Sequence, residues 1–368
     1  MHLIHMADNR TMKYSTLACI VMFPLIIGSK AALAADAHPL FASSDILEVT
    51  VEGPFDTLMD QRSEDVQYDG NLSYENASGE SVALDVKLRV RGRFRAKKEV
   101  CDFAPLRLNF KKKQVNNTVF DGQDKLKLVT HCQNKDKEYE QQLLKEYMAY
   151  QFLSTISENA FKTRLMRITY VDSEGKSKKR RRYCFVIEHA DDLAKRLGTK
   201  PAKTANIMFD QLNQDQTNLV TVYSYFIGNT DFSAIRGPKK EYCCHNVELF
   251  LDDANDYLPI PYDFDFSGMV NAPYAAPGES IGIRNVTTRV YRGLCRNNER
   301  LDDTLNLFLE NKEKFYDLVA DQKGLTNAHR NKMRGYVSGF YSVIGKESRV
   351  NDEFIKECSS ASGPPDPT

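Results

Sequence analysis

A charge excess is missing from this sequence: among 368 residues, 50 Lys and Arg balance 50 Asp and Glu. That balance argues against a general nucleic-acid binder. Zinc-type cysteine spacing is missing too. No CxxC occurs, and the adjacent Cys243-Cys244 make a poor chelating pair, which disfavours a structural zinc site. Past the N-terminal segment no stretch supplies the ~20 apolar residues of a membrane span, so no integral membrane segment is expected after that point. No internal repeat is visible, which sets aside a repeat architecture. Tryptophan is absent as well, and that absence excludes nothing. What is present is ordinary for a globular protein: 42% hydrophobic and 27% charged residues, in a chain long enough to bury a large core in two lobes.

The N-terminus reads as a targeting segment. Met12-Lys13 resembles a true start, followed by the apolar run from Leu17 to Gly28 and small residues through Ala31-Ala32-Leu33-Ala34-Ala35. A signal peptide over residues 1–34, cleaved near Ala34, fits better than an anchor, because the run is short and contains Pro24. The mature protein is then exported, periplasmic or secreted, and meets oxidising conditions in which disulfides form. Without Cys19 seven cysteines remain, an odd number, so at least one stays free or pairs between chains. Cys101 and Cys132 each flank a strand-like run and make the favoured bridge.

Alternation of apolar and polar residues predicts strands at 46–53, 82–91, 105–110 and 125–129, with hairpin chemistry around Ser78-Gly79. Helical spacing covers Tyr139 to Ser154. A hairpin follows, from Leu165–Val171 to Tyr183–Glu188, and its turn runs into the basic stretch Lys178 to Arg182. That stretch reads as a solvated strand end, with an anionic partner as the alternative. Residues 190–197 form a short helix. The Gly- and Pro-bearing segment 198–205 marks the best boundary, so residues 35–200 make a β-rich lobe with one long helix. Residues 201–358 make a mainly helical lobe, with helices at 215–227, 301–321 and 328–344 and short strands at 247–251 and 258–262. The terminal residues 359–368 read as a disordered tail.

Three polar stations interrupt an apolar passage in the second half: Asp231, the pair His245-Asn246, and Asp263 with Asp265. Asp231 follows a helix through a turn, where a carboxylate is able to take a proton from a hydroxyl nucleophile. Its plainer reading is an Asx turn at a helix end. Asn246 precedes a strand and offers an amide oxygen to a metal, or is simply a turn amide. Asp263 and Asp265, two apart in an extended segment, point the same way. Two such carboxylates need a cation or a raised pKa; the alternative is a pair of caps, at odds with the apolar PIPYDFDF around them. Hard divalent cations take oxygen ligands of this kind together with phosphate oxygens.

The order D…HN…DxD…G, after a β-rich half and a helix, resembles the atypical kinases of the spore coat protein H (CotH) family. The run RVRGRFR (Arg89 to Arg95) resembles that family's Arg-Gly segment. The resemblance covers about residues 82–270. It implies an α+β, two-lobed protein-kinase-like fold and transfer of a phosphoryl group from ATP, with Mg²⁺ or Mn²⁺, to a hydroxyl of a protein or small-molecule acceptor. Carried over, Asp231 is the catalytic acid, Asn246, Asp263 and Asp265 are the metal ligands, and Arg91 and Arg107 face the nucleotide. Glu146 or Glu140 on the helix pairs a phosphate-binding cation. The chain departs from the family where a Lys-rich strand is expected, since CDFAPLRLNF carries only Arg107; Lys87, Lys125 and Lys127 lie on other strands. Two further readings stand beside the kinase: a non-catalytic envelope or interaction protein, and a metal-dependent hydrolase using Asp263 and Asp265.

Overall fold

Strict alternation in the first half produces strands with one buried face. The computed structural model describes residues 38–238, 241–278 and 281–360, which belong to one compact unit. The signal segment and nearly all of the expected disordered tail lie outside these residues. β1 (Leu47–Gly53) and β3 (Ser81–Val90) send every second side chain inward, and β2 (Tyr68–Glu75), β4 (Leu106–Phe110) and β5 (Lys125–Val129) complete a meander. The Asp- and Gln-bearing segment after β1 forms helix α1 (Phe55–Gln61), which adds Phe55 and Leu58 to the same core. β6 (Thr163–Asp172) and β7 (Arg180–Ile187) pair as the expected hairpin.

The expectation of a two-lobed protein-kinase-like fold fails here. The protein is of mixed α and β class, but its seven strands close into a barrel in the order β1-β2-β3-β4-β5-β7-β6. Closure comes from β1, which pairs antiparallel with β2 and parallel with β6 from Leu47↔Met166 to Gly53↔Asp172. The interior is filled by Val49, Val51, Leu72, Val86, Leu88, Leu106, Leu108, Leu126, Met166 and Ile168, so it is a packed core rather than a pore.

Helix α2 (Glu138–Ile156) is buried along most of its length and carries the larger core. That core continues without a break through β7, helix α3 (Ala190–Leu197) and helix α4 (Gln214–Ile227) to the C-terminal helices. Around position 200 the chain is structured: β8 (Lys200–Ala202) joins β9 (Val247–Leu251) and β10 (Tyr257–Pro261) in a three-stranded sheet. The periodic stretch 301–321 is two helices, α5 (Leu301–Glu310) and α6 (Lys312–Asp321). They break at Asn311, whose side chain turns back to the Leu307 carbonyl. Helix α7 (Asn327–Ile344) completes the bundle.

Among the described residues the cysteines pair Cys101–Cys132, as expected, and also Cys243–Cys244 and Cys295–Cys358, leaving Cys184 buried as a free thiol. Ser359 pairs with Leu294 beside the last bridge.

Candidate functional site

One end of the barrel faces the acidic turns of the second half across a cleft of about 550 Å³. β3 ends at Val90, and the chain leaves it through Arg91 and Gly92. Gly92 has φ +88°, a conformation that glycine adopts without cost. The Arg91 N–H is held by the Pro105 carbonyl at 2.9 Å. Arg91, Arg93, Phe94 and Arg95 line this side of the cleft, with Lys127 of β5.

The opposite side is built from three turns. Helix α4 stops at Gly228, which takes up φ +67°, and Asp231 follows three residues on. His245 and Asn246 lead into β9, and Asp263 and Asp265 follow β10. Asn246 and Asp263 both lie in the left-handed region, at φ +52° and +61°. Asn and Asp tolerate that region better than other side chains, and residues held there cluster at functional sites. The Asn246 carbonyl accepts from the Tyr262 N–H at 3.0 Å, and the Asp263 N–H donates to the Tyr150 hydroxyl at 2.8 Å. These two bonds tie the acidic turn to β9 and to α2.

Asp231 is fully engaged. Its Oδ1 lies 2.7 Å from His245 Nε2, while Asn246 Nδ2 donates to its Oδ2 at 3.0 Å and to its carbonyl at 2.8 Å. The hydrogen bond to Asp231 raises the pKa of His245 above its ordinary value, against the opposing effect of burial.

Deeper in the cleft an ion cluster joins the two sides. Arg95 Nη1 lies 3.3 Å from Glu146 Oε2 and 4.0 Å from Asp265 Oδ2, and its Nη2 donates to the Thr130 carbonyl at 2.7 Å. Tyr274 donates its hydroxyl to Asp265 Oδ2 at 2.9 Å. Burial and the neighbouring Asp263 push Asp265 up to about 7. Burial also raises Glu146 well above the usual carboxylate range, Arg95 opposing it and Asp265 and Asp263 adding to it. Burial works against the charge of Arg95, but Tyr274, Glu146, Asp265 and Asp263 together outweigh it and hold the guanidinium charged. The cluster therefore carries more acid than it has cations to balance.

Of the sequence-predicted residues, Asp231, Arg91, Glu146, Asn246, Asp263 and Asp265 all line this cleft. Arg107 does not. It stands on β4, paired across the sheet with Arg89 on one side and Lys127 on the other, and burial with the nearby Arg89 and Arg91 lowers its pKa. Lys127, opposite it on β5, lines the cleft. Its Nζ sits 5.5 Å from the centroid of the Tyr262 ring, and among the described residues no carboxylate is within ion-pair distance of it. Burial, then Arg91, lowers its pKa. Glu140 instead accepts from the Tyr183 N–H. Sequence reasoning assigned no role to Arg95, although it lies in the quoted RVRGRFR run. Tyr150 was legible only as one side of the helix, and Tyr274 carried no local signal.

Among the described residues no three His, Cys, Asp or Glu side chains gather closely enough to enclose a metal ion alone. Asp263, Asp265 and Asn246 line the same cleft and offer oxygen donors, while Asp265 Oδ2 already accepts from the Tyr274 hydroxyl at 2.9 Å and lies 4.0 Å from Arg95 Nη1. That chemistry fits a hard divalent cation completed by oxygens of a bound ligand. No protein-family model and no curated protein matches the chain, so the comparisons do not identify the CotH family or any other.

Proposed function

We propose that the cleft binds a nucleoside triphosphate, ATP in the simplest case, with Mg²⁺ or Mn²⁺, and transfers the terminal phosphoryl group to a hydroxyl of a protein or small-molecule acceptor. The observation that carries this reading is charge placement. Lys127 and Arg91 stand on one wall, with no carboxylate within ion-pair distance of Lys127 among the described residues, and Asp231, Asp263 and Asp265 stand on the other. A triphosphate needs cations along its oxygens and a metal-holding acid pair beside them.

Asp263, Asp265 and Asn246 would hold the cation, which supplies charge neutralisation on the phosphate oxygens. Lys127 and Arg91 bind and orient the phosphates. Arg95 keeps Glu146 and Asp265 in place and screens their charge. Asp231 accepts the acceptor's O–H proton. The acceptor oxygen forms the new P–O bond, and the old bond breaks with its electron pair remaining on the nucleoside diphosphate. Positioning and charge stabilisation do the work, with no covalent intermediate on the protein.

One observation favours a second reading, a ligand-binding protein without chemistry: both Asp231 carboxylate oxygens are taken, by His245 and by Asn246. Thermal shift and transfer of labelled γ-phosphate separate the two. Under the kinase reading, metal with ATP raises Tm, Asp263→Ala abolishes the shift, and Asp231→Asn keeps it while lowering transfer about 100-fold or more. A shift in the wild type with no transfer leaves the binding reading. No shift with any nucleotide sinks the kinase reading and leaves a non-catalytic protein that binds something else.

A further inference from the structure

The β6–β7 hairpin carries the densest charge in the chain, and the cleft makes no use of it. Six of the seven residues from Lys176 to Arg182 are cationic, in a protein whose total charge balances. The acids around them offset part of this charge, and Asp56 accepts from the Ser177 hydroxyl at 2.9 Å. Glu174 holds Lys176 at 3.1 Å and the Thr57 hydroxyl, and Glu48 holds Arg181 at 2.8 Å. Asp172 accepts from the N–H groups of Lys176 and Ser177, Glu140 from the Tyr183 N–H, and Glu138 lies 3.0 Å from His329. Arg182 spends its donors on the Arg181 and Asn134 carbonyls, and Lys135 and Lys137 flank Asn134 in the sequence. Arg167 lies over the Tyr183 ring, 4.7 Å from its centroid. Lys178, Lys179 and Arg180 have no ion-pair or hydrogen-bond partner for their side chains among the described residues, and the two lysines are exposed.

We infer that this hairpin end is a docking surface for an anionic phospholipid bilayer. A cluster of four to eight Lys and Arg at one place on a surface is the size that binds anionic headgroups. Single-stranded nucleic acid is a poorer fit, because residues 176–182 interleave no aromatic ring on which bases stack. Position also favours a flat surface. Arg180 begins β7 and Ile187 ends it at the cleft, so the basic end and the cleft are separated by roughly 23 Å of strand. Docking through the basic end leaves the cleft open to solvent.

Vesicle co-sedimentation tests this without reference to nucleotide or turnover. The protein is mixed with vesicles of phosphatidylcholine alone, or of phosphatidylcholine with phosphatidylglycerol. The wild type is expected to bind only the anionic vesicles, and less as salt is raised. Reversing Lys178→Glu, Lys179→Glu and Arg180→Glu together lowers that binding about tenfold or more. Reversing the exposed Lys111→Glu, Lys112→Glu and Lys113→Glu, a change of equal charge elsewhere, leaves it nearly intact. Equal sedimentation with both vesicle types, none with either, or an equal loss in the two triple variants overturns the inference. So does displacement from anionic vesicles by polyglutamate at matched charge, which would point to an acidic protein instead. Tm values of both variants, close to that of the wild type, establish that the surfaces compared are folded.

Discussion

Arg95 is the side chain on which the charge balance of the cleft turns. It stands between Glu146 and Asp265, and all three are nearly out of solvent. Removing one partner of a buried ion cluster leaves the others uncompensated, which costs about 3–5 kcal/mol. Arg95→Met is therefore expected to lose about that much stability in urea unfolding. Adding Glu146→Gln to it restores part of the loss, because the stranded charge is then gone. If Arg95→Met costs under about 1 kcal/mol, the cluster is not the internal counter-charge described here. This residue also shows how far sequence reaches. That Asp231, Asn246, Asp263 and Asp265 stand apart from their apolar surroundings was legible, because buried polar residues are costly unless partnered, and all four line the cleft. The choice between Arg107 and Lys127 was not legible. The two stand opposite each other on neighbouring strands, and of the two Lys127 lines the cleft.

At the scale of elements, local pattern was readable and long-range pairing was not. β5 and α3 lie where alternation and helical spacing put them, because a half-buried strand and an amphipathic helix each write their period into the chain. The β1–β6 ladder joins residues more than a hundred positions apart and leaves no local trace, so barrel closure was not legible. The turn that presents Asp263 and Asp265 meets the turn before Asp231 backbone to backbone: the Gly268 N–H donates to the Gly228 carbonyl at 2.9 Å, and the Met269 N–H to the Ile227 carbonyl at 2.9 Å. A Cβ on Gly268 would run into the Val286 carbonyl and come within 2.8 Å of Thr287 Cα. Gly268→Ala is expected to cost about 2–3 kcal/mol by overpacking and to displace the acid pair. Gly335→Ala makes the matched control, since that helical glycine of α7 has open space around it and alanine there gains about 0.5–1 kcal/mol. Chemical denaturation of the two variants checks the contrast; equal effects would mean that Gly268 is not packed against Val286 and Thr287 as described.

For the molecule as a whole, stability in acid depends in part on buried groups whose pKa differs between the folded and the unfolded chain. His131 is the clearest of them. It is fully buried, stacked on Phe103 with ring centroids 4.7 Å apart, and its Nε2 lies 3.0 Å from Asn134 Oδ1. Burial lowers its pKa from 6.5 to about 4, so the unfolded chain binds a proton that the folded protein refuses. The associated stability is fully present above pH ~6.5 and is lost as pH falls through about 4, amounting to about 3 kcal/mol. Glu146 and Asp265 act in the opposite sense: their raised folded pKa values favour the fold at low pH, and that contribution is lost as pH rises. The wild-type profile sums both, so the informative quantity is a difference. Urea midpoints of the wild type and of His131→Phe, measured at pH 7 and at pH 4.5, isolate it. The wild type is expected to lose about 2–3 kcal/mol more than the variant over that interval, since phenylalanine keeps the stacking and has no proton to bind. Parallel curves would mean that His131 titrates normally, and hence that this end of the barrel admits water.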